Sequence, residues 1–111
     1  NNHAYYLALR GANLDRALAC AERANALMPG TPSFLDTEAC VLHALGRHAE
    51  ALDAIESAMA AGASRDPEVL EHKADILRAL GREEEAQETY KTAIEAGGDA
   101  ERILTKMDGL P

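Results

Sequence analysis

The stretch Ala44–Ala63, ALGRHAEALDAIESAMAAGA, comes back 35 residues later as ALGREEEAQETYKTAIEAGG, Ala79–Gly98. Nine of the twenty aligned positions are identical, among them Gly46 and Gly81, Ala51 and Ala86, and Ala58 and Ala93. A weaker copy opens at Gly11 and carries Ala17, Ala24 and Pro29. A period of this length implies an array of helical units. Each unit cannot hide its apolar side alone and must stack on its neighbours.

Local signals place the helices. Asn2–Arg10 reads as a short helical stretch, with Tyr5, Ala8 and Leu9 at helical spacing, that Gly11 stops. Leu14–Met28 carries Leu14, Ala17, Leu18, Ala21, Ala24 and Leu27 along one side, and Asn13 is its N-cap. Pro29-Gly30 ends it. Thr31 or Ser33 caps a third helix that reaches about Leu45, with Leu35, Ala39 and Leu42 on one face. Gly46 breaks that helix, a fourth runs from about His48 to Ala61, and Gly62–Asp66 is a loop. Asp66 caps a fifth helix with Pro67 in its first turn, where a missing N–H costs nothing. It reaches Leu80, Gly81 stops it, and Glu83–Ala96 forms the sixth. After Gly97-Gly98 a last helix, about Asp99–Met107, is apolar at Ile103, Leu104 and Met107 and polar at Glu101, Arg102 and Lys106. Such a helix covers the open edge that an array leaves at its end.

The recurring small residues explain the stacking. Ala17, Ala51 and Ala86 sit early in the second helix of each pair, and Ala39 and Ala74 sit midway along the first. A methyl group there lets two backbones approach closely, and a larger side chain would overpack the contact by about 1–3 kcal/mol. The glycines supply positive φ where the chain reverses within a few residues.

Charge narrows the partners. Nineteen acidic against eleven Lys and Arg side chains give a net charge of −8 and a pI near 4.9. Nucleic acid is a poor partner for such a surface, because phosphate neutralisation needs clustered cations. An anionic membrane is disfavoured for the same reason, and no apolar run is long enough to span a bilayer. The acidity is uneven: residues 66–111 hold twelve acidic and six basic side chains, residues 1–65 seven and five. At 111 residues the chain amounts to one domain at most. It does not begin with Met and reads as a piece of a longer protein, so the lack of a visible signal peptide leaves its compartment open. Cys20 and Cys40 make neither a disulfide scaffold nor a Cys-x-x-Cys site and read as buried or half-buried thiols.

These residues resemble the tetratricopeptide repeat family. Ala39, Gly46, Ala51, Ile55 and Ala58 match its pattern in one copy, and Ala74, Gly81, Ala86, Tyr90 and Ala93 match it in the next. In the first copy Ala17, Ala21, Ala24 and Pro29 match. The wording FLDTEACVLHALGR followed by EVLEHKADILRALGREEEA is similar to the C-terminal repeats of bacterial multi-repeat proteins. There are departures. Leu35 and Leu70 stand where a large aromatic is common, Cys40 where related bacterial sequences often carry Trp, and Ala63 and Gly98 where a proline usually closes the repeat. The resemblance implies an all-α superhelix of about three helix pairs plus a C-terminal capping helix. Residues 1–111 then form one domain, with repeats at about 1–31, 32–66 and 67–98 and the cap at about 99–107. It also implies a bacterial source, with a cytoplasmic or periplasmic setting.

What the resemblance implies about function is a non-catalytic scaffold that binds a protein or peptide in the concave groove lined by the first helices. The groove contacts expected on that basis are Tyr6, Leu9, Arg10, Asp36, Cys40, His43, Glu71, Asp75 and Arg78. Ser33, Thr37, Glu68 and His72 fall on the same wall. Three carboxylates there, Asp36, Glu71 and Asp75, favour a basic or amide-rich ligand, and Tyr6 is the best single anchor. Chaperone-binding relatives hold a C-terminal carboxylate with Lys, Asn and Arg. Here Asn2, Tyr6, Thr37, Glu68 and His72 stand at those places, and Glu68 would repel a carboxylate. The alternative is an architectural or self-associating segment, a homo-oligomer held through an N-terminal edge of Tyr5, Tyr6 and Leu9.

Chemistry finds little footing. Cys40 and His43 on one helix with Glu71, His72 and Asp75 on the next allow a mixed metal site by geometry. Neither Cys-x-x-Cys nor His-Glu-x-x-His accompanies them, so no metal and no cofactor is assigned. A Cys40 nucleophile with His43 as base lacks an orienting third group and oxyanion donors, so the chain does not read as an enzyme.

Overall fold

The computed structural model describes residues 13–109, which form six α-helices with no strand among them. In chain order these are α1 (Leu14–Leu27), α2 (Pro32–Ala44), α3 (His48–Ala58), α4 (Pro67–Ala79), α5 (Glu83–Glu95) and α6 (Ala100–Met107). The expected helix over Asn2–Arg10, and with it Tyr6, Leu9 and Arg10, lies outside the described residues.

The helix starts follow their caps. Asn13, at φ 48°, accepts from the Arg16 N–H at 3.3 Å. Asp66 accepts from the N–H groups of Glu68 at 2.9 Å and Val69 at 3.3 Å, with Pro67 as the first helical residue. Asp99 accepts from Arg102 N–H at 3.0 Å. Thr31 departs from expectation. It stands at the N-cap, but its hydroxyl donates backwards to the Met28 carbonyl, and neither it nor Ser33 caps α2 through a side chain.

Two turns are built identically. After α2, Gly46 N–H reaches the His43 carbonyl and Arg47 N–H the Leu42 carbonyl. After α4, Gly81 N–H reaches Arg78 and Arg82 N–H reaches Leu77. Both glycines have φ near +80°, and a β-carbon on either would meet nothing, so the left-handed backbone alone demands glycine. Gly98 is required for the other reason. A β-carbon there would stand 2.8 Å from the Ala93 carbonyl oxygen and 2.8 Å from Ile103 Cδ1.

One boundary is corrected. The α-helical part of α3 ends at Ala58 rather than Ala61, and the chain continues through one wide π-type turn, Met59–Ala63, with Gly62 at φ 125°. Three residues lie between Gly62 and the next helix cap, Asp66, against one between Gly97 and Asp99, and the widened turn lies on this longer link.

Stacking occurs where the small residues stand. Ala17, Ala21, Ala39, Ala51, Ala58, Ala74, Ala86 and Ala93 are all wholly buried, with Ile55, Ile76, Leu77, Tyr90 and Ile103 as the bulk of the core. α3 packs on α4 to join one hairpin to the next, and α2 and α4 run side by side as an inner wall. α6 lies against α5 through Ile103 and Met107. Two expected core positions are exposed instead. Leu27, the last residue of α1 at the turn end of its hairpin, is 72% exposed, and Leu104 on α6 is 50% exposed because Ile103 takes the inward direction. No helix of the described residues is long and apolar enough to cross a membrane.

Candidate functional site

The inner faces of α2 and α4, with α6 closing one side, bound an open cleft of ≈ 480 Å³. Of the expected contacts, Cys40 and His43 reach it from α2 and Glu71 and Asp75 from α4. Glu68 and His72 join them, as do Arg102 and Lys106 from α6. The i, i+4 spacing of Glu71 and Asp75 puts both acids on one stripe of α4. The same spacing puts Arg102 and Lys106 on one stripe of α6.

Those two stripes meet. Arg102 donates to Glu71 from Nη2 at 2.7 Å and from Nε at 3.1 Å, a two-pronged contact. Lys106 Nζ donates to Glu71 Oε2 at 2.6 Å and to Asp75 Oδ2 at 3.0 Å. Asp75 also accepts from the hydroxyl of Tyr90, a side chain wholly inside the core. Burial works against the Glu71 carboxylate, but the bonds from Arg102 and Lys106 outweigh it and hold the group at about 2. Burial and then the bond to Asp75 push the Tyr90 phenol up. Glu71 and Asp75, expected as open acceptors for a basic ligand, are thus met by the chain's own cations. Sequence reading placed Arg102 and Lys106 on a solvent side. Matching their spacing to that of the acids was the signal that could have paired them.

The third expected carboxylate is also engaged. Asp36 Oδ1 lies 2.8 Å from His72 Nδ1, joining α2 to α4. Burial disfavours the charged imidazole, yet the Asp36 and Cys40 contacts prevail and raise its pKa. Cys40, beside the same ring, has its thiol pushed up by burial against the opposing effect of His72. His43 Nδ1 faces His48 Nδ1 at 2.9 Å with ring centroids 4.8 Å apart. Burial first and His48 second lower the pKa of His43.

Arg78 is the expected contact that the structure turns elsewhere. Its guanidinium bonds Glu83 at 3.2 and 3.0 Å, reaches the Lys106 carbonyl and lies 5.2 Å from the Tyr90 ring centroid. Thr37 is likewise withdrawn: it is buried, and its hydroxyl donates to the Ser33 carbonyl.

Residues 38–111 match the family model of the tetratricopeptide repeat-like domain. The chain belongs to this family. Solved structures of the same fold include the first TPR of Spaghetti (RPAP3) bound to the HSP90 peptide SRMEEVD. It aligns with a TM-score of 0.86 at 18% identity, over 97% of this chain and 84% of that one. The Sgt2 TPR domain from Aspergillus fumigatus aligns with a TM-score of 0.83 at 20% identity, over 97% and 74%. At such identities the likeness concerns the fold. No curated protein sequence matches the chain.

Proposed function

We propose that this tetratricopeptide repeat module is a non-catalytic scaffold whose protein or peptide ligand lies in the cleft between α2, α4 and α6. The observation that carries the reading is the cleft itself. Side chains of two successive repeats and of α6 converge on one open wall where α2 and α4 run side by side. The RPAP3 domain of the same fold holds a peptide, which supports a peptide as the class of ligand. The repeat units proposed are about 1–31, 32–66 and 67–98, with the cap at 99–107.

A basic or amide-rich segment fits best. Glu68 is an exposed acid at the cleft, and a basic side chain can enter by replacing Lys106 at Asp75. An acidic tail such as SRMEEVD would meet the exposed Glu68, so that chemistry is not carried over. The test is fluorescence anisotropy with labelled basic, amide-rich and acidic peptides on the 111-residue chain. Tyr6→Ala combined with Asp75→Ala is expected to weaken the best binder at least tenfold, and unchanged binding would overturn the groove assignment. The alternative, a self-associating segment, draws on Leu27 and Met28, exposed together at the α1–α2 turn. Light scattering that shows a monomer at every concentration removes it.

A further inference from the structure

We propose that Asp36, Cys40 and His72 form a zinc-class metal site that clamps α2 to α4 and keeps one coordination position open to the cleft. Each of the three offers one ligand atom, and these atoms all lie within 4.8 Å of one another. Tetrahedral zinc with bonds of about 2.0–2.3 Å needs ligand atoms roughly 3.2–3.8 Å apart, so modest side-chain adjustment closes the site. The sequence reading weighed a different set on these helices and assigned no metal. Helix spacing explains the change: Asp36 and Cys40 are i, i+4 on one stripe of α2, and His72 comes across from α4.

The donor set selects the metal. A thiolate and an imidazole favour zinc and its borderline neighbours over magnesium or calcium, which take oxygen ligands. Among the described residues Asp36 bonds His72 through Oδ1 and pairs with no Lys or Arg, so its carboxylate can turn to a metal. Cys40 and His72 both line the open cleft, which supplies the entry path and room for water or a donor from a bound ligand at the fourth position. On binding, the Cys40 thiol and the His72 imidazolium each release a proton to solvent, and the thiolate and the neutral imidazole take the metal. The consequence is mechanical. The metal ties the first helices of two successive repeats and stiffens the wall that faces the ligand.

Cobalt(II) is the probe, added to the 111-residue chain under reducing conditions. One equivalent is expected to give the visible bands of a tetrahedral site with a thiolate-to-cobalt charge-transfer band, and zinc is expected to bleach both. Cys20→Ser should keep the spectrum, Cys40→Ser should abolish the charge-transfer band, and His72→Gln should weaken binding by about 100-fold. A wild-type spectrum without the charge-transfer band overturns the site, as does a band that survives Cys40→Ser or disappears in Cys20→Ser. A second measurement needs no variant: saturating zinc should raise the melting temperature of the wild-type chain. A curve that zinc leaves unmoved also overturns the clamp.

Discussion

In the α2–α3 hairpin His43 meets His48 across the glycine turn. Thirty-five residues on, Arg78 and Glu83 hold the same two places as an ion pair at 3.0 Å. The substitution recurs through the pair of repeats. Asp36 becomes Glu71, Cys40 becomes Asp75 and the core Ile55 becomes Tyr90, whose hydroxyl bonds that Asp75. The backbones of the glycine turns after α2 and α4 and the buried alanines coincide, whereas the polar ties differ. The later hairpin is bound to α6 through Glu71 and Asp75, and the earlier one is bound to its neighbour through Asp36 and His72. The comparison teaches that apolar positions set the stack, while polar positions decide what each repeat holds.

Removing the aromatic core should show the largest effect. Tyr90→Ala is expected to cost about 3–5 kcal/mol and Ile55→Ala about 2–5 kcal/mol in urea unfolding. The contrast lies in α6, since Tyr90 alone supports the Asp75 that holds Lys106. Hydrogen exchange across Ala100–Met107 should accelerate in the Tyr90 variant, and equal acceleration in both would break the proposed difference between the repeats.

Next comes the buried acid. Glu71→Gln should cost about 1–3 kcal/mol, because charge-assisted bonds are lost and Arg102 and Lys106 keep a weaker acceptor. Asp36→Asn should cost less, since among the described residues it bonds His72 alone. The pH dependence of Glu71 has a definite sign. Its folded value of about 2 lies below the unfolded carboxylate value of roughly 4.3, so its contribution is present above that pH and is lost as pH falls toward 2. Acid unfolding of Glu71→Gln should have a shallower slope across this range, and an unchanged slope would place the acid sensitivity elsewhere.

The two turn contacts sharpen the contrast further. A histidine whose folded pKa is lowered stabilises in its neutral form, so the His43 contribution is present above the ordinary imidazole range and fades as pH falls below it. His43→Gln should flatten the stability profile between about pH 7 and 5. Glu83→Gln should leave that interval untouched, since neither Arg78 nor Glu83 titrates there. The smallest effect belongs to Arg47–Glu50 and Arg82–Glu85, the i, i+3 pairs that both repeats share on their surface. Arg47→Ala and Arg82→Ala should each leave the melting temperature unchanged, because exposed pairs contribute little.

Much of the fold was legible in the residues themselves. Asn13 and Asp66 cap the helices that follow them, and Gly46 and Gly81 close two identical turns, since these signals act within five residues of one another. Four of the expected contacts reach one cleft for a similar reason: helical spacing sorts residues by face. Leu27 was misplaced because spacing puts it on the packed side without saying where the neighbouring helix ends. Arg78 shares its stripe with Glu71 and Asp75 but is drawn away by Glu83, five residues on.

By itself the sequence determined the helices, their glycine and aspartate boundaries and the rule that hairpins must stack, because periodicity and caps are local and a 35-residue repeat admits few other arrangements. Only the tertiary structure decided who partners whom. The tie from Lys106 to Asp75 spans 31 residues and that from His72 to Asp36 spans 36, and no local signal selects among the acids and bases of a charged chain. Packing does so, because burial makes an unpaired charge costly and leaves each group only the partners within its reach.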